Sequence, residues 1–99
     1  MKLWLDDVRA MPGRFTFHAK TAWEAIEQLK TGIVEEISFD HDLGIEANGS
    51  GYTVAKWIEE QAFLGNFKQI YWEIHSANPV GRTNITAAMK KAEEFWWKP

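Results

Sequence analysis

Four short apolar runs set the frame: "KLWL" at 2–5, "RFTFHAK" at 14–20, "VEEISFD" at 34–40 and "KQIYWEIHS" at 68–76. Each of the last three is followed by a stretch whose apolar residues recur at helical spacing: Trp23, Ile26 and Leu29; then Val54, Trp57, Ile58 and Ala62; then Ile85, Ala88, Met89, Ala92 and Trp96. Strands alternating with amphipathic helices bury their apolar surfaces economically in one way, as an open and mostly parallel sheet carrying helices. Thr21 with Glu24 three residues later predicts a capping box at the first helix, and Gly32 suits its end. With 99 residues, 45% of them hydrophobic and including six Trp and six Phe, the chain supports one α/β domain over 1–99.

Strand order follows from polarity. The second run alternates Phe15 and Phe17 with Thr16 and His18, and the fourth alternates Ile70, Trp72 and Ile74 with Tyr71, Glu73 and His75. Such alternation marks half-exposed edge strands, whereas the first run is apolar throughout and belongs inside. The spatial order 2-1-3-4 satisfies both, a shortened form of the flavodoxin-like order in a compact three-layer sandwich with about three helices. One connection strains this scheme. Only the short turn-like segment "DVRAMPG" leads from strand one towards strand two, and a parallel crossover normally takes a dozen residues or more. Either a compact loop replaces the usual helix or strand two is not parallel.

In open α/β sheets, ligands bind beyond the carboxyl ends of the strands. The chemistry-bearing residues lie at those ends: Asp6 and Asp7 after strand one, Asp40, His41 and Asp42 after strand three, His75 and Ser76 after strand four. Neighbouring strands are about 4.8 Å apart, so His41 and His75 can flank one phosphate-sized group. Gly44 makes an early end to strand three plausible, which residues 40–42 need if all are to face one ligand. Four carboxylates at one edge call for positive charge. Asp6, Asp7, Asp40 and Asp42 are oxygen ligands of the kind that bind Mg²⁺ or Mn²⁺, and Arg9 and Arg82 are the alternative source. In "HSANPVGR", Pro79 opens a helix whose first N–H groups, with Ser76, Asn78 and Arg82, would make an anion pocket. His18 falls on the polar face of strand two and reads as surface.

Several classes are excluded or disfavoured. Without cysteine there is no disulfide framework and no thiolate zinc site. A net charge of −3 disfavours a broad grip on duplex nucleic acid, though not a hold on a small phosphorylated ligand or an RNA end. No run approaches membrane length and nothing resembles a signal peptide, so no membrane association and a cytoplasmic location are expected. Glycine-rich nucleotide fingerprints and a serine-esterase elbow are absent from the sequence. Trp97 lies off the last helix's apolar stripe and is a candidate homodimer or partner contact.

The arrangement resembles a response-regulator receiver domain. Asp6-Asp7 stand where receivers carry their paired acids, "HAKTAWEAIEQL" is similar to the second strand and helix, and "FDHDLG" puts Asp40 at the phospho-accepting position. "SGYTVAKWIEE" is similar to the next helix, and Ser76-Ala77 match the Thr-Ala that ends the fourth receiver strand. The first receiver helix is missing, the lysine-bearing fifth strand is absent or reduced to "FWWKP" (read here as helix), and two histidines are added. With those departures, "LWLDDVR", "SFDHDLG" and "HSANPVGR" together resemble the cyclic-phosphate processing receiver-like domains of bacteria and phages. The resemblance implies a phosphoesterase that opens cyclic phosphates in RNA ends or nucleotides. Its residues would be His41 and His75 as base and acid in either order, Asp40 and the other acids orienting them or holding a divalent ion, and Ser76, Asn78, Arg82 and Arg9 on the phosphate. Neither "HDL" nor "HSA" fits the His-x-Ser/Thr repeat of two-histidine phosphoesterases. The alternatives are a signalling receiver phosphorylated on Asp40, or a non-catalytic module that binds a phosphorylated ligand or a protein.

Overall fold

The computed structural model describes residues 1–97. Its four strands, β1 (Lys2–Leu5), β2 (Phe17–Ala19), β3 (Glu36–Phe39) and β4 (Tyr71–Ile74), form one sheet in the order β2-β1-β3-β4 with every pair parallel. The helices are α1 (Ala22–Leu29), α2 (Gly51–Leu64) and α3 (Pro79–Trp96), with a single 3₁₀ turn at Glu46–Asn48 before α2. This is the receiver-like α/β arrangement that the polarity of the strands requires.

One parity of the strands makes the core. Leu3, Leu5, Ile37 and Phe39 are fully buried against Ala25, Ile26 and Leu29 of α1, Val54 and Ile58 of α2, and Ile85 and Met89 of α3. Burying each large aliphatic or aromatic side chain contributes about 1.5–3 kcal/mol, so this face dominates stability. The other parity carries Lys2, Trp4, Glu36, Ser38 and Glu73. It is covered by the segment between β1 and β2: Phe15 packs on Trp4 with ring centroids 5.1 Å apart, and Arg14 lies over Phe15 while bonding Glu36 at 2.6 Å and Glu73 at 2.8 Å. The third layer is therefore this segment, not a helix. That resolves the short connection, since β2 is parallel to β1 and the loop makes the crossover.

Local details depart from the sequence expectation in three places. Regular pairing of the second run begins only at Phe17, with the Thr16 hydroxyl accepting the Lys2 N–H at 2.8 Å, so Phe15 and Phe17 lie on opposite faces instead of sharing one. Trp23 is 53% exposed and outside the α1 stripe, which is Ala22, Ala25, Ile26 and Leu29. Its indole N–H reaches across to the Ala47 carbonyl at 2.7 Å. The Thr21 hydroxyl does accept the Glu24 N–H, but the reciprocal capping box forms at α2, between Ser50 and Thr53. The carboxyl-terminal segment is helical to Trp96 as expected, Trp97 is exposed, and Lys98 and Pro99 lie outside the described residues. No helix among the described residues is long and apolar enough to cross a membrane.

Candidate functional site

The sheet register builds the first half of the site. Leu5, Phe39 and Ile74 stand in one row, and the backbone continues for one more rung: Asp6 N–H bonds Ala19 O (3.0 Å), Asp40 N–H bonds Leu5 O (2.9 Å) and His75 N–H bonds Phe39 O (2.9 Å). Side chains of one rung share a face. Asp6, Asp40 and His75 consequently converge, each offering a ligand atom within 4.8 Å of the others. Parity also explains what lies beneath them, because Trp4 and Ser38 are two residues back on the same face.

His75 is clamped. Its ring stacks on Trp4 at 3.8 Å and 6°, Nδ1 is 2.8 Å from Ser38 Oγ, and Nε2 is 2.9 Å from Asp6 Oδ2. A carboxylate oxygen only accepts, so the neutral ring places its proton on Nε2 and accepts a hydrogen bond from the Ser38 hydroxyl at Nδ1. The bonding order Ser–His–Asp is that of a hydrolase triad, yet Ser38 is 0% exposed and cannot act as a nucleophile. The Trp4 indole N–H bonds the Arg9 carbonyl, which ties this stack to the turn after β1.

Asp6 is equally committed. Its Oδ1 accepts the Val8 N–H at 2.8 Å and the Arg9 N–H at 2.7 Å. Burial alone would raise its pKa, but those two N–H groups and the His75 ring outweigh it and hold the carboxyl below its ordinary range. Burial lowers the His75 pKa, with the Asp6 hydrogen bond and charge opposing it only in part. Both shifts have the same consequence for stability. The folded state binds fewer protons than the unfolded chain, so stability is complete above the unfolded pKa and is lost as pH falls. For His75 the loss starts near the ordinary value of 6.5, and for Asp6 below 3.8. In chelator, the urea midpoint is expected to drop between pH 7 and pH 5, and His75→Gln should flatten that part of the profile. An unchanged drop in the variant would remove His75 as its source.

The second half of the site is the loop 41–42 against the start of α3. His41 Nδ1 is 3.1 Å from Asp42 Oδ1, and the Asn78 amide donates to both Asp42 oxygens at 3.3–3.4 Å. The His41 bond and then that of Asn78 lower the Asp42 pKa. Among the described residues His41 Nε2 has no partner, and the His41 side chain is 21% exposed.

The remaining expected residues separate into contacts of different kinds. Asp7 and Asp42 do not join the converging donors: Asp7 alternates away from Asp6 and lies near the Gly44 turn, while Asp42 is past the last rung. Asn78 caps α3 by accepting the Gly81 N–H, and the buried Ser76 hydroxyl accepts the Asn78 N–H. Arg82 Nη1 bonds the carbonyls of Ile74 and Ser76, and Arg9 Nη1 bonds that of His75, so both guanidinium groups border the β4–α3 connection. Neither Nη2 has a partner among the described residues. His18 is not mere surface, because its Nε2 meets the Asp6 carbonyl at 2.7 Å. Trp4 and Ser38 escaped the sequence reading, although a serine between two buried apolar residues, at the parity of Asp40, was the available signal.

The family described as cyclic-phosphate processing Receiver domain matches residues 1–91. The chain belongs to this family. No curated protein and no solved structure matches it significantly. In this cyclic-phosphate processing receiver domain, the matched residues include all four strands, both halves of the site and α3 as far as residue 91.

Proposed function

We propose that the domain is a metal-assisted cyclic phosphodiesterase that opens a cyclic phosphate of a nucleotide or of an RNA end. The observation that carries the reading is the His41–Asp42 pair, a partly exposed imidazole backed by a carboxylate, one residue along from converging Asp40, Asp6 and His75. His41 Nε2 takes the proton of the attacking water. As the water oxygen bonds phosphorus and one ring P–O bond breaks, the same nitrogen returns a proton to the departing hydroxyl oxygen. Asp42 on Nδ1 holds the ring and stabilises its protonated form. Arg9 and Arg82 face the phosphate oxygens through their remaining donors.

His75 has a different part from the acid or base that the resemblance implied. As a ligand the ring would carry its proton on Nδ1 and donate it to Ser38 Oγ, the outer support characteristic of a metal-binding histidine, which leaves the Nε2 lone pair for the ion, and Asp6 beside it stays ionised. Two carboxylates and an imidazole fit a divalent cation, and the nitrogen donor favours Mn²⁺ over Mg²⁺. When bound, such an ion supplies charge neutralisation at the phosphate and acidifies a water.

The test is turnover of 2′,3′-cyclic nucleotides and short cyclic-ended RNAs in Mn²⁺, in Mg²⁺ and in EDTA. Turnover in Mn²⁺ that EDTA abolishes is expected, and no turnover with any substrate or metal would sink the proposal. Asp40 in the same rung as Asp6 also favours a receiver-type reading, which predicts a stable acyl phosphate on Asp40 after acetyl phosphate treatment.

A further inference from the structure

We propose that Gly81 is a positioning residue for His41, its missing side chain being what lets the first turn of α3 hold the imidazole in its working orientation. This rests on the phosphodiesterase reading of the site. Gly81 is buried in the first turn of an 18-residue helix, its φ is not positive, and its N–H is capped by Asn78, so no backbone conformation requires glycine there. Helix propensity opposes it, because alanine is the better helix former. Sterics supply the reason: a Cβ on residue 81 would stand 2.3 Å from His41 Cγ, 2.6 Å from its Cβ and 2.7 Å from Cδ2.

The loop is gripped on its other side by a second close approach. The Gly51 N–H, at the start of α2, donates to the His41 carbonyl at 2.9 Å, and a Cβ on Gly51 would lie 2.0 Å from the Asp40 carbonyl oxygen. With its backbone fixed against α2 and its ring against α3, His41 keeps Nδ1 on Asp42 and leaves Nε2 unpartnered. The two glycines differ in what they contact. At Gly51 the obstacle is backbone, whereas at Gly81 it is the His41 side chain, whose ring can turn about χ1 while its Cβ is relieved only by a shift of the 41–42 loop away from α3. Gly81→Ala therefore displaces the histidine and its loop without obstructing the sheet, and it is the informative substitution.

The experiment is a cycle of Gly81→Ala, His41→Ala and the double variant, each read by thermal midpoint and by kinetics on a 2′,3′-cyclic nucleotide in Mn²⁺. Nuclear Overhauser contacts between the His41 ring and the residue 81 Hα report the geometry directly. Gly81→Ala is expected to lower kcat about 10²-fold, the scale for a misplaced reacting group, with KM within about twofold. It should weaken those contacts and reduce kcat no further once His41→Ala is in place. Gly81→Ala should lower the midpoint more while the His41 ring is present than in the His41→Ala background, where only the Cβ of residue 41 remains in the way. An equal midpoint shift in both backgrounds, or unchanged kcat in Gly81→Ala, would overturn the assignment. A wild type without turnover overturns the phosphodiesterase reading instead, and the stability cycle then decides whether Gly81 sets the ring.

Discussion

Asp6→Ala is expected to destabilise the domain by about 3–5 kcal/mol, the low end of the cost of leaving three hydrogen-bond donors without their acceptor. The carboxylate is fully buried and serves three donors at once: the N–H groups of Val8 and Arg9 on Oδ1 and the His75 ring on Oδ2. Alanine leaves all three without an acceptor, and each unpaired buried donor costs about 1–3 kcal/mol. Because small domains have only about 5–15 kcal/mol in total, the variant should be close to unfolded at moderate temperature. Asp6→Asn should behave differently, losing about 1 kcal/mol. Its side-chain oxygen can keep the two backbone N–H groups while its amide donates to Nε2, and the ring then moves its proton to Nδ1, facing Ser38 Oγ. Urea denaturation in EDTA measures the two losses, and the ¹⁵N shifts of His75 report the change of tautomer. Similar losses for Ala and Asn would mean that the hydrogen bonds to Asp6 are not what holds the turn.

The fold was legible because the strands differ in polarity. Uniformly apolar β1 could only be internal, and the alternation of β4 could only be an edge, which together leave one economical order. The sequence also placed the candidate residues at strand ends, since Asp6 and Asp40 each end a buried run and His75 follows the last residue of β4. What it could not give is register. Whether those three share a rung depends on how far each strand runs before pairing stops, and that is decided by contacts such as Thr16 with Lys2 that alternation does not reveal. Asp7 and Asp42 were grouped with Asp6 and Asp40 by proximity in the chain, but Asp7 alternates to the other side and Asp42 follows the end of pairing. The covering of the second face was hidden for a related reason. The loop between β1 and β2 shows no periodicity, so nothing in it announced that Phe15 and Arg14 would lie on Trp4, Glu36 and Glu73. The contact of His41 with Gly81 spans 40 positions and rests on an absent side chain, which leaves no pattern to read.

The two histidines, equivalent in sequence, are the place where stability and activity should part. His41→Ala is expected to lower kcat about 10²–10⁴-fold, the usual contribution of a general acid–base group, with KM nearly unchanged. Its effect on stability should be about 1 kcal/mol or less, because its partner Asp42 is exposed and such ion pairs contribute little. His75→Ala should do the reverse in stability, costing about 2–4 kcal/mol through the lost Trp4 stack and the stranded Asp6 and Ser38. Its activity should be restored in part by raising Mn²⁺, which tests it as a ligand, while no metal concentration should rescue His41→Ala. Activity assays across a Mn²⁺ titration, paired with urea curves for each variant, make the comparison. Metal rescue of His41→Ala together with metal-independent loss in His75→Ala would exchange the two roles, and would mean that the clamped ring releases Asp6 during turnover. The geometry argues against that exchange, because Nε2 of His75 is already bonded to a buried carboxylate whereas Nε2 of His41 has no partner among the described residues to give up.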